Sequence, residues 1–194
     1  MNVSKRFSAL SLIGFSLCAQ AETYNFPNKL PPGCAAGNSG NYSCGALTLA
    51  AGDVLEVSDP KPANVAVSGA LSLGDGAKLN VGGMPGNLLI SVDGASKIGA
   101  TAQVNLILQT VGVTHLGANA VFVGDISSIS GVVTTGSGSS VDGDIKTVSA
   151  AINIGSNATV TGAVTITVAG VISVGAASTV TGDLTTATGA INVG

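Results

Sequence analysis

Gly136-Ser-Gly-Ser-Ser-Val141-Asp-Gly143-Asp-Ile145, Gly155-Ser-Asn-Ala-Thr-Val160-Thr-Gly162-Ala-Val164 and Gly175-Ala-Ala-Ser-Thr-Val180-Thr-Gly182-Asp-Leu184 are successive copies of one pattern. The copy before them is Gly117-Ala-Asn-Ala-Val-Phe122-Val-Gly124-Asp-Ile126. The anchoring glycines Gly99, Gly117, Gly136, Gly155, Gly175 and Gly194 stand 18, 19, 19, 20 and 19 residues apart. Self-similarity at such a period marks a solenoid, in which each repeat is one coil and buries its apolar side chains only with its neighbours.

Within a coil, apolar residues alternate with small polar ones, as in Ala151-Ile152-Asn153-Ile154, Thr159-Val160-Thr161 and Ala163-Val164-Thr165-Ile166. A period of two means short, half-buried strands, and the abundance of Val, Ile and Thr suits a pleated surface. Three strands per coil predict an all-β, single-stranded parallel β-helix of triangular cross-section, with about seven to eight coils. Gly45-Ala-Leu47-Thr-Leu49 recurs as Gly69-Ala-Leu71-Ser-Leu73 and then as Gly94-Ala-Ser-Lys-Ile98, so the early coils take 24 and 25 residues. Their surplus falls in two turn-rich corner loops, Ser58-Asp-Pro-Lys-Pro62 and Gly82-Gly-Met-Pro-Gly-Asn87. The rule for parallel crossovers favours a right-handed helix.

Stacking predicts columns by residue number. One inward column is Leu73, Ile98, Leu116, Thr135, Ile154, Val174 and Val193; a second is Leu79, Val104, Phe122, Val141, Val160 and Val180; a third is Ile126, Ile145, Val164 and Leu184. The outward column beside the first is polar throughout: His115, Thr134, Asn153, Ser173 and Asn192.

The N-terminus has a different character. Lys5 and Arg6 precede an apolar run from Phe7 to Leu17, and Ala19-Gln20-Ala21 supplies a small-x-small cleavage site, so residues 1–21 read as a secretory leader cut between Ala21 and Glu22. Cys18 is no lipidation site on this reading, because Leu17 stands where a small residue is needed. Residues 22–45 read as an N-terminal cap holding Tyr24, Phe26 and Tyr42, and residues 46–194 as the β-helix. In an exported chain Cys34 and Cys44 are expected to form a disulfide; a zinc site would need four ligands, and the single His lies far away at His115. The last residues, Ala190-Ile-Asn-Val-Gly194, fall in mid-coil, which leads to the expectation of a longer polypeptide.

After the leader the chain has five Lys, no Arg and ten acidic residues. That balance argues against nucleic acid, since little is present to neutralise a row of phosphates, and against an anionic membrane surface. No later apolar run is long enough for a spanning helix. Residues that could carry catalysis are few, and no cofactor is expected. His115 belongs to the outward polar column, and the serines of Gly136-Ser-Gly-Ser-Ser140 have no partner base. The one carboxylate cluster is Asp125, Asp142 and Asp144: Asp125 and Asp144 occupy equivalent outward positions on adjacent coils, and Asp142, two residues from Asp144, is expected on the same face. Calcium bridging these groups competes with a merely solvated edge that also carries Lys146. Thr165, Thr167, Thr185 and Thr186 suggest a regular array for ice or carbohydrate, but Lys146 interrupts it one coil earlier.

Thr23-Tyr-Asn-Phe-Pro, Leu30-Pro-Pro-Gly-Cys34, Tyr42-Ser-Cys44-Gly-Ala-Leu-Thr-Leu-Ala-Ala-Gly52-Asp, Lys61-Pro-Ala and repeats such as Gly189-Ala-Ile-Asn-Val-Gly194 resemble the N-terminal region of the MshQ-like proteins of proteobacteria. These are associated with biogenesis of the mannose-sensitive haemagglutinin pilus. The repeats alone also resemble bactofilins and other polymer-forming β-helices. The resemblance implies a non-catalytic structural or adhesin-like protein, exported to the periplasm, outer surface or exterior of a Gram-negative bacterium, with pilus or cell-surface components as partners. The competing expectations are a β-helix that stacks on copies of itself through an open end, a secreted carbohydrate-active enzyme and an ice-binding protein.

Overall fold

The computed structural model describes residues 20–58 and 61–194. Most of the expected leader, including Cys18, and the centre of the first corner loop, Asp59 and Pro60, lie outside the described residues. The chain is a β-solenoid of about eight turns whose three faces are sheets of eight, nine and eight strands. Face 1 begins with Thr23–Phe26, face 2 with the hairpin Cys34–Ala36 and Asn41–Cys44, and face 3 with Leu47–Leu49. The chain then visits faces 1, 2 and 3 in turn, and every pairing between coils is parallel; the one strand-to-strand exception is the antiparallel hairpin that opens face 2.

The strands form where the alternation places them. Ile152–Ile154 buries both isoleucines with Asn153 outward, and Thr159–Thr161 buries Val160 between two exposed threonines. Leu79, Val104, Phe122, Val141, Val160 and Val180 are consecutive partners on face 1. On face 2, Leu108, Ile126, Ile145, Val164 and Leu184 stack in the same way. On face 3, Leu49, Leu73, Ile98 and Leu116 make one run and Ile154, Val174 and Val193 another, with the buried Thr135 between them. The outward column runs Lys97, His115, Thr134, Asn153, Ser173, Asn192, as the alternation requires. The last members of the inward columns have no described coil beyond them: Val180 and Leu184 are half-buried, and Val193 is 70% exposed.

The register also fixes the corners. Between faces 3 and 1, Gly52, Gly76, Thr101, Asn119, Gly138, Asn157 and Ala177 occupy equivalent positions, and all have left-handed backbone, with φ between 55° and 75° at Gly52, Gly76, Thr101, Asn119, Gly138, Asn157 and Ala177. Gly and Asn adopt this conformation readily; Thr101, stacked between two coils, and Ala177, stacked on the coil before it, adopt it because the neighbouring coil dictates the corner's shape. Between faces 1 and 2 the constraint is close approach. A Cβ on Gly143, where φ is 150°, would collide with the carbonyl oxygen of Gly124 in the coil before.

The loop expected over 82–87 contains a single 3-10 turn, Pro85–Asn87, and is tied to the solenoid by two asparagines. Asn80 Nδ2 donates to the carbonyls of Met84 and Asn105 at 3.0 and 2.9 Å, and Asn105 Nδ2 donates to those of Val81 and Gly83 at 3.2 Å.

Val160 is buried within an unbroken apolar column, between Val141 and Val180, whereas Thr159 points outward one residue away. Val160→Asp buries an unpaired charge and should lower stability by about 3 kcal/mol or more; Thr159→Asp should change it by about 0.5 kcal/mol or less. Equal thermal transitions for the two variants would contradict the register.

Candidate functional site

Three places break the repeat with polar or charged groups: the N-terminal hairpin and the groove beside it, the acidic corner around Asp144, and a carboxylate inside the first coil.

The hairpin brings Cys34 opposite Cys44, and the two form a disulfide with an S–S distance of 2.04 Å. Asn41–Cys44 continues directly into face 2 by pairing with Ala63–Val67, so residues 22–45 build the start of the solenoid itself. Phe26 and Tyr42 plug that end of the core, fully or almost fully buried, with ring centroids 4.4 Å apart. Outside face 2, small side chains leave a shallow groove of about 380 Å³. Ala35, Ser43, Ala66, Ser68 and Ser91 line it, with Asp93 at its edge. The outer column continues along this face through Gln109, Ser127, Lys146, Thr165 and Thr185, so the threonines begin only after Lys146, and Thr186, paired with the buried Ile166, stands on the inward side and outside any such array.

At the acidic corner the three carboxylates do not share one face. Asp142 closes the face 1 strand Ser140–Asp142, then Gly143 turns the chain, and Asp144 stands beyond the turn before Ile145–Thr147 opens face 2. Asp125 and Asp144 are at equivalent corners, and each carboxylate bonds to the next coil. Asp125 Oδ1 accepts from the Asp144 backbone N–H at 2.9 Å, and Asp144 Oδ1 accepts from that of Ala163 at 2.8 Å. Asp75 does the same at another corner, accepting from the Ala100 N–H at 2.8 Å. The side chain thus supplies an acceptor for an N–H at a corner, where strand pairing is interrupted. Among the described residues no three His, Cys, Asp or Glu side chains gather as they would around a metal ion. His115 is exposed beside Lys97 on face 3, whereas Asp125 and Asp144 stand at the corner between faces 1 and 2.

The third place was not singled out from the sequence. Asp53 is 4% exposed, and both carboxylate oxygens accept backbone hydrogen bonds: Oδ1 from Glu22 and Oδ2 from Ala50, each at 2.7 Å. Around it lie Tyr24, Glu22 and Lys29. Lys29 Nζ is 3.1 Å from Glu22 Oε2 and 5.0 Å from the Tyr24 ring centroid. Burial pushes the Tyr24 hydroxyl above its ordinary pKa of 10.0, helped by a hydrogen bond to Glu22 and by the negative charges of Glu22 and Asp53. The signal that could have found Asp53 is positional: every later coil carries Ala or Ser at its position.

No family model, curated protein or solved structure matches this chain.

The acidic corner generates a test that separates a backbone acceptor from a metal ligand. Asp144→Asn keeps an oxygen for the Ala163 N–H and should retain the parent stability, while Asp144→Ala should lose about 0.5–1.5 kcal/mol. Calcium should leave the melting temperature of the parent unchanged. A calcium-dependent rise that both substitutions abolish would assign the corner to a cation instead.

Proposed function

We propose that this chain is an exported, non-catalytic structural module: a stiff β-solenoid stalk of the bacterial cell surface, serving pilus biogenesis or a comparable surface assembly. The observation that carries the reading is the continuity of the three faces, which run through the described coils with one register shift, on face 2 between Ile166 and Ala169. Each coil is held to the next on all three faces, so bending the axis anywhere strains parallel hydrogen bonds on at least one of them. About eight turns at roughly 4.8 Å each make a rod of about 40 Å.

The wall of the rod fits this role. Most outward strand positions carry Ser, Thr, Asn or Gln in place of a dense charged coat, as in the Thr134, Asn153, Ser173, Asn192 column. A neutral, hydroxyl-rich wall remains wetted without strong long-range attraction or repulsion. Such a surface suits a spacer that holds other modules apart. The resemblance to the MshQ-like proteins supports a surface assembly as the setting, and the Cys34–Cys44 disulfide agrees with an oxidising compartment.

Expression of the chain from Met1 in a Gram-negative host tests the reading. The expected product has lost residues 1–21, begins at Glu22, carries no free thiol and is found outside the cytoplasm. A product retained in the cytoplasm with its leader intact and both cysteines reduced would contradict it.

A further inference from the structure

We infer that removal of the leader makes the new α-ammonium of Glu22 the ionic partner of the buried Asp53 carboxylate, so that processing itself locks the first strand of face 1 onto the solenoid. The inference rests on the export reading above and goes beyond it, because it assigns a structural consequence to the cleavage.

The argument starts from where Asp53 stands. From the pairing of Val54 with Lys78, and of the residues stacked beyond them, the equivalents of Asp53 in the following coils are Ala77, Ala102, Ala120, Ser139, Ala158 and Ser178. A small residue fits that inward position six times, and the first coil alone has an acid there. One of its oxygens has a purely structural task. In later coils the N–H equivalent to that of Ala50 bonds to a carbonyl of the coil before: Gly74 to Leu49, Gly117 to Ile98 and Gly175 to Ile154. Among the described residues Leu47–Leu49 is the end strand of face 3 and no such carbonyl lies before Ala50; Asp53 Oδ2 takes its place.

The other oxygen is aimed at Glu22 N. That nitrogen is held in position by the sheet, since the Glu22 carbonyl accepts from the Val54 N–H at 2.8 Å and Thr23 to Phe26 pair with Val54 to Val57. A carboxylate 4% exposed needs a compensating charge or a full set of donors. Among the described residues the cation nearby is Lys29, which is engaged with the Glu22 side chain at an exposed site. As a peptide nitrogen, Glu22 N offers one uncharged N–H. As an α-ammonium it offers three, with a full positive charge, to an oxygen already 2.7 Å away.

The covalent step is simple hydrolysis. Water adds across the Ala21–Glu22 amide, leaving a carboxylate on Ala21 and an amine on Glu22 that takes up a proton at neutral pH. The host's leader peptidase catalyses it, and nothing is oxidised or reduced. Before the cut, Asp53 is a buried acid satisfied by two neutral donors; after it, the same geometry is an ion pair. Strand Thr23–Phe26, which carries the Phe26 plug, is thereby fastened at its free end.

The test uses the chain secreted and purified after its own processing, with intact mass fixing the N-terminus. Limiting acylation by an acetyl N-hydroxysuccinimide ester should modify the Glu22 α-amine about tenfold more slowly than in Asp53→Asn, which releases it. A second preparation, with the cleavage site moved so that Ala21 is retained, displaces the ammonium from Asp53. Its melting temperature should fall by about 3–6 °C, and the same extension on Asp53→Asn should change nothing. Should Asp53→Asn fail to fold, the extended chain with Asp53 intact decides the matter: an unchanged melting temperature overturns the proposal. A product beginning at Glu22 whose α-amine reacts as fast as in the variant overturns this inference alone. A product beginning at any other residue overturns it together with the assigned cleavage site.

Discussion

Each coil of this protein is shaped by the coils stacked against it, because a stacked neighbour supplies partners for the backbone N–H and C=O groups that point along the axis. The N–H of Val133 reaches the carbonyl of Ala151 at 3.1 Å, that of Ile152 reaches Val171 at 3.0 Å and that of Ile172 reaches Ala190 at 3.0 Å. Leaving such groups unpaired inside the stack is expensive, so the path of the chain must repeat closely from turn to turn. Corners are where this demand is most visible. The left-handed conformation recurs at one corner of every coil, and at Thr101 and Ala177 it overrides what those residues prefer. Gly143 lies too close to the Gly124 carbonyl for any side chain to intervene.

That dependence explains why so much of the fold is legible in the sequence. A strand residue must resemble the residue one coil away, so the spacing of Phe122, Val141 and Val160 gives both their face and their partners. The same reasoning locates Lys97, His115 and Thr134 outside. Less legible is what a polar side chain does once the register is known. Asp125 and Asp144 are correctly placed one coil apart, but equivalent carboxylates on adjacent coils lie equally well for a shared cation or for the backbone N–H of the next corner. The hydrogen bonds to Asp144 and Ala163 are formed by backbone positions that no side-chain pattern reports. The turn at Gly143, which sets Asp142 and Asp144 on different faces, likewise depends on a backbone angle. Asp53 was hidden for the opposite reason: Ala50-Ala-Gly-Asp53 reads as a polar turn until it is aligned with the small buried residues of later coils.

Positions that interrupt the repeat are therefore where this protein differs from a generic solenoid. The disulfide hairpin and the aromatic pair Phe26 and Tyr42 close one end of the core. Asp53 accepts from the Ala50 N–H and reaches the nitrogen that processing would liberate. Between these features and the last described coil the outward column of face 3 stays polar from Lys97 to Asn192. A stalk lengthens by adding coils, and the repeat supplies a unit that can be added without redesigning its neighbours.

The central claim is that coils are interchangeable units joined by register, and excising one tests it most directly. Deleting residues 136–154, one full 19-residue period as set by the pairing of Ser140 with Thr159, joins Thr135 to Gly155 in register. The account predicts a folded β protein with a cooperative thermal transition close to the parent's. Deleting residues 136–145 removes about half a coil, shifts every later strand to the wrong face and should unfold the stack beyond the cut. Equal stability for the two deletions, measured by thermal circular dichroism, would contradict the account.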